Sequence, residues 1–195
     1  GLGVWSSVES QAQPIMKMIV TDSKLADPLR PHFLTFEKPS AEGEALAHMV
    51  EHDVLHAALL ARASALALEI LADGVETFED REGSSLLELA SGEVIETSLL
   101  VAADGARSHL RDYAGLATSG WRYGQSAIVA TVHHERDHGG IAYEHFLPSG
   151  PFAILPLTGR RSSIVWTEPT ARAERFLALD DFSFHEELGR RFGHA

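Results

Sequence analysis

The chain of 195 residues has no cysteine, which excludes disulfide bonds and thiolate metal sites and leaves the redox compartment unmarked. No apolar run approaches the ~18 residues of a membrane-spanning helix, and no secretory leader is visible. These absences make the cytoplasm the expected location, while an apolar surface patch would still permit peripheral membrane attachment. Basic blocks are missing too. Sixteen Lys and Arg stand against 28 Asp and Glu, a net charge of −12, so a nucleic-acid partner is excluded on electrostatic grounds. There is no Gly-x-Ser-x-Gly nucleophile setting, no internal repeat and no low-complexity linker. Nor is there a Gly-x-Gly-x-x-Gly turn. Gly1-Leu2-Gly3 runs into Val4-Trp5-Ser6, without a third glycine and without a strand before it.

What is present is organised around the stretch LLVAADGARSHLRDYAGL, residues 99–116. Its apolar run Leu99 to Ala103 predicts a short strand buried on both faces. Asp104-Gly105 follows, and from Ala106 the pattern predicts a helix stopped by Gly115. At such a junction Asp104 can cap the helix or receive a ligand hydroxyl, and Gly105 lets a bulky group approach the backbone. The first helical N–H groups would face an anion, with Arg107, Ser108 and Arg111 within one turn. The bland alternative is an ordinary turn, because Asp-Gly is a common turn dipeptide and Asp caps many helices that bind nothing.

Elsewhere the residues predict strands at 16–22 and 33–36, turns at 22–30 and 38–43, and a long helical pattern from Glu44 to Ala67 that His52-Asp53 interrupts with a second cap signal. Ala67 to Leu71 reads as a strand. A β-meander follows, with strands at 75–80, 85–89 and 94–97. Four antiparallel strands are expected at 126–132, 141–147, 152–157 and 162–167, and a mostly helical tail from Glu174 onward. Phe146, Phe152, Ile154 and Trp166 are expected on one face of that sheet, as core packing or as the roof of a lipophilic aromatic site. Two histidine groups have spacings that invite a metal-site reading. His48, His52 and His56 are four apart, but Asp53 stands where a zinc motif has Glu, and no third ligand is evident. His133, His134 and His138 read as a polar hairpin end. No metal is expected at either.

ADGARSHLR resembles the Asp-Gly motif of the class A flavoprotein monooxygenases, the para-hydroxybenzoate hydroxylase group. Residues 143–168, YEHFLPSGPFAILPLTGRRSSIVWTE, are similar to the ubiquinone-biosynthesis branch of that family, as are the opening GLGVW and residues 45–60. The resemblance implies an α/β (α+β) fold, part of a Rossmann-like FAD-binding domain interleaved with an antiparallel substrate-domain sheet. The implied division is substrate-domain strands at 1–43, partial FAD-binding domain at 44–116, and substrate-domain sheet and helix at 117–195. It implies FAD as cofactor, NAD(P)H as co-substrate and a phenol, polyprenylated in the family's manner, as substrate. Asp104, Gly105, Arg107, Ser108 and Arg111 become the expected cofactor-binding residues, and no catalytic base is assigned. Glu51-His52 departs from the branch, which often carries Asn after the acidic residue. Members of the family are about twice this length, so an internal fragment is expected, with strand edges left open to self-association. The alternative is a non-catalytic module that has kept the sheet and lost the flavin.

Overall fold

The computed structural model describes residues 1–27, 29–38 and 44–193. In chain order it has α1 (Trp5–Val8), β1 (Gln13–Ile15), β2 (Lys17–Asp22), β3 (His32–Glu37), β4 (Ala47–Met49), α2 (His52–Ala65), β5 (Val75–Arg81), β6 (Ser84–Leu89), β7 (Val94–Thr97) and α3 (His109–Tyr113). There follow β8 (Gln125–His133), β9 (Ile141–Leu147), β10 (Gly150–Leu157), β11 (Arg161–Pro169), α4 (Thr170–Leu177) and α5 (Asp181–Phe192). Contacts divide the chain into two compact units, one of residues 1–66 with the chain from 122 onward, the other of residues 67–121.

The larger unit is built on a six-stranded sheet in the order β3-β2-β9-β10-β11-β8. The four expected strands are there, but β2 and β3 extend the same sheet, and β2 joins β9 in parallel. Strand β11 alternates strictly between buried and half-buried residues, the period of two that a sheet covered on one face requires. The buried positions carry Ile128, Phe152, Ile154, Ile164 and Trp166, packed under Ala173 of α4 and Leu188 of α5. Trp166 lies 4.6 Å from Phe176 and 5.7 Å from Phe184, and Phe152 lies 5.7 Å from Phe192, between ring centroids. Burying large apolar side chains of this kind is worth about 1.5–3 kcal/mol each. Phe152, Ile154 and Trp166 are therefore core. Phe146, expected beside them, is half-exposed and opposes Pro151, in alternate register to Phe152, so it points to the other face.

Three expected elements differ. The long helix from Glu44 divides: Ala47–Met49 pairs with β1, and α2 starts only at His52, after Glu51 in an extended conformation (φ −64°, ψ 140°). Ala67 to Leu71 is no strand, because Ala67 turns the chain out of the helix at φ +52°. Leu99 to Ala103 is no strand either, and Leu99 and Val101 are each 72% exposed. An apolar run records the burial a segment is suited to, but a parallel strand also needs neighbours to bond to, and no described strand pairs with this one. In the expected turn at 22–30 the Asp27 amide donates to the Lys24 carbonyl at 3.1 Å, while Pro28 and residues 39–43 lie outside the described residues.

The smaller unit is the β-meander β5-β6-β7 with α3 beside it. Leu87, Leu89 and Leu110 are its buried apolar residues, and Tyr113 rests 5.3 Å from the Phe78 ring.

Candidate functional site

The five sequence-predicted residues lie in one loop of the smaller unit, and each does something definite. Helix α3 begins at His109, not at Ala106, and its N-cap is Ser108, whose Oγ accepts from the Arg111 amide at 3.0 Å. Asp104 sits further back. One of its oxygens accepts from Ser108 Oγ and the other from the Leu110 amide at 3.2 Å. The hydroxyl of Ser108 holds the Asp104 carboxyl below the usual carboxylate range, with backbone donors adding to the effect. The helix expected from Ala106 thus starts three residues later. The helix is a single five-residue turn, and its own side chains already take the N–H groups at Leu110 and Arg111. Arg111 closes the loop by donating to the Ala106 carbonyl at 3.1 Å and to Asp112. Ser108 is buried, whereas Asp104, Gly105 and Arg107 are exposed, and Gly105 adopts φ +83° with open space where a Cβ would stand.

In the larger unit the sheet presents two contrasting faces. On the face under the helices, Thr21 Oγ1 and His145 Nδ1 are 2.8 Å apart, and His145 is buried between the Tyr143 and Phe152 rings. Burial, then the charge of Arg30, push the His145 imidazole down to about 4, so it is neutral at pH 7. A cavity of about 580 Å³ opens beside it, walled by Arg30, Tyr143, Ile154 and Phe192 among others. The two Nη groups of Arg30 donate to the carbonyls of Arg190 and Arg191 and so cap the end of α5. Also on this face, Glu168 and Arg191 are both fully buried. Arg191 donates to Glu168 Oε1 at 2.9 and 3.1 Å, and its guanidinium lies 4.0 Å over the Trp166 ring. Burial opposes ionisation of Glu168, but hydrogen bonds from Trp166 and Arg191 outweigh it and hold the carboxyl below its ordinary range.

The other face carries a row that the strand register defines from edge to edge: Leu34, Val20, Glu144, Ala153, Val165, Val129. Five of the six are apolar and the middle one is a carboxylate. Val129 is 67% exposed, and Phe146, one step along the same face, is 49% exposed. Sequence reasoning missed Glu144. Its signal was available in the alternation of Tyr143, Glu144, His145 and Phe146, which puts Glu144 and Phe146 on one side. A second residue, Glu51, was read only as a departure from the family. It forms a 2.6 Å ion pair with Arg161 and joins the start of α2 to the β10–β11 hairpin. Of the histidines weighed as ligands, His48 lies in β4 against Trp5, while His52 and His56 stack on α2, so the three do not form one helical stripe. His134 and His138 are engaged by Ser162 and by the carbonyls of Leu157 and Gly159.

No family model matches the chain. Over 98% of its length it is 43% identical to the ubiquinone hydroxylase UbiL of Rhodospirillum rubrum, of which it covers 44%. It is 35% identical, again over 98% of its length, to the mitochondrial ubiquinone biosynthesis monooxygenase COQ6 of Danio rerio, covering 41% of that protein. Among solved structures it superposes on pqsL, a probable FAD-dependent monooxygenase from Pseudomonas aeruginosa, with a TM-score of 0.77 at 18% identity, over 96% of this chain and 52% of that one. The chain spans a little under half the length of the curated relatives it matches. With the Asp-Gly loop, the meander and the mixed sheet all in place, it belongs to the class A FAD-dependent aromatic monooxygenases, among the relatives of the ubiquinone-pathway hydroxylases.

Proposed function

We propose that the protein carrying this chain hydroxylates an aromatic ring, a polyprenylated phenol of ubiquinone biosynthesis, using FAD, NAD(P)H and dioxygen. The observation that carries this is the 43% identity to a ubiquinone hydroxylase across essentially the whole chain. FAD, when bound, supplies the oxygen-activating and electron-transferring chemistry; the protein's part is to bind, orient and shield. In this reading residues 44–116 contribute to the FAD-binding domain, and residues 1–43 and 117–195 to the substrate domain.

The loop at 104–111 suits one edge of a flavin site. Gly105 leaves its backbone open to a flat ligand, and a carboxylate has acceptor capacity beyond the two bonds Asp104 already makes. Arg107 is exposed and makes no hydrogen bond or ion pair among the described residues, so its charge is available to a phosphorylated ligand. Ser108 and Arg111 act as positioning residues that hold Asp104 and the loop carbonyls in place. The half-open apolar face of the sheet, with Val129, Phe146 and Val165, suits an aromatic ring with an apolar tail. A lipid-borne tail would bring the protein to a membrane surface from the cytoplasm as a peripheral partner. No helix among the described residues is long and apolar enough to cross a membrane. The same reading extends to self-association through β3, an edge strand exposed along its length.

The test is flavin content and reduction in the intact protein. Asp104→Ala is expected to lower flavin occupancy or the rate of flavin reduction by NAD(P)H, more than Asp112→Ala, which removes a charge farther along α3. Equal values for the two variants would overturn the assignment of the loop.

A further inference from the structure

Glu144 is out of place by every rule of the sheet it sits in. Its lateral neighbours Val20 and Ala153 are buried and apolar, and the row continues through Leu34 on one side and Val165 and Val129 on the other. The side chain is partly buried, yet it forms no hydrogen bond and no ion pair among the described residues. The other carboxylate buried in the sheet, Glu168, accepts from Trp166 and Arg191 through Oε1, and its Oε2 lies 3.5 Å from the Arg172 guanidinium. Burial alone pushes the Glu144 carboxyl above its ordinary range, with no donor to offset it. A half-buried carboxylate without a partner costs folding stability, and a hydrophobic residue would fit the row better. Local violations of this kind are characteristic of sites that meet a ligand.

We propose that Glu144 is the polar anchor of a subsite on this face, accepting a hydrogen bond from the hydroxyl of a phenol whose ring lies along the apolar row toward Val165 and Val129. The proposal rests on the reading of the protein as an aromatic hydroxylase and adds to it the residue that senses the hydroxyl. The chemistry is a hydrogen bond from a neutral phenol O–H to a carboxylate oxygen, which also raises electron density on the ring without any bond breaking. The apolar row discriminates little among substituted rings, whereas one buried acceptor discriminates strongly between a ring that can donate and one that cannot.

The experiment uses the intact protein and two probes of nearly equal shape, 2-prenylphenol and its methyl ether, with dissociation constants read by calorimetry. The wild type is expected to prefer the phenol by roughly tenfold, the scale of one hydrogen bond to a charged group. Glu144→Leu is expected to bring that preference close to one while flavin content is unchanged. It is also expected to raise the melting temperature, because the orphan carboxylate is removed; a purely structural role would lower it. Glu144→Gln is expected to keep part of the preference. Retention of the full preference in Glu144→Leu overturns the proposal and leaves the hydroxylase reading standing. A wild type that binds neither probe overturns the hydroxylase reading, and this proposal with it.

Discussion

At the scale of single residues, the buried polar groups make the most definite predictions. His145 is neutral when folded, with its imidazole depressed to about 4 against the ordinary value of about 6.5. Its folded form binds fewer protons than the unfolded chain between those two values, so stability is present above about pH 6.5 and is lost as pH falls toward 4. Discounted for the water at the mouth of the cavity beside it, the loss is about 1–2 kcal/mol. Urea midpoints of wild type and His145→Asn measured at pH 7 and pH 4.5 check this. The wild type is expected to lose the larger share, and equal losses would contradict it. Glu168→Gln leaves the Arg191 guanidinium buried with only Glu187 to balance it, and is expected to cost about 3 kcal/mol. An unshifted midpoint in urea would refute that account of the core. None of these pairings was legible beforehand. Glu168 and Arg191 are 23 positions apart, and alternation with Ile164 and Trp166 gives the face of Glu168 but not its partner. Glu144 was half-legible, since alternation gives its face but not the lack of a partner.

At the scale of elements, the strands came through most clearly because their period of two is a local property. Each of the expected strands from 75 to 97 and from 126 to 167 is present. Elements whose identity depends on a distant neighbour did not come through. Leu99 to Ala103 has the composition of a buried strand but no strand to pair with among those described, and Ala47–Met49 was absorbed into a helical pattern although β1 claims it. The Asp104 loop lies between these cases. Its residues were identified from the sequence, but their roles are redistributed, with Ser108 the cap and Asp104 the support behind it. Ser108→Ala removes an acceptor for the Arg111 amide and a donor to Asp104, and is expected to cost about 1–2 kcal/mol in the urea midpoint. A loss no larger than that of Ser91→Ala, in an exposed turn, would contradict the arrangement. Gly150 opens β10 at φ +141°, where an added Cβ would stand 2.8 Å from the Thr167 side chain and 3.1 Å from its carbonyl oxygen. Gly150→Ala is expected to cost about 1–3 kcal/mol in the same assay.

At the scale of the whole molecule, the division of labour follows from what the chain carries. The sheet and its helices form one unit, and the meander with the Asp104 loop forms a second, smaller one. The glycine-rich turn that meets a dinucleotide pyrophosphate is not in the sequence, and several charge-assisted bonds of about 1.5–3 kcal/mol each go with it. The 195-residue chain by itself is therefore expected not to hold FAD. Saturable micromolar binding in a fluorescence titration would contradict that. The central claim concerns the intact protein, and it is tested most directly by following isotopically labelled dioxygen. With a prenylated phenol and NAD(P)H, the account predicts phenol-dependent oxidation of the nicotinamide and one labelled oxygen atom in the product ring. Nicotinamide oxidation indifferent to the phenol, with no label in the ring, would contradict it.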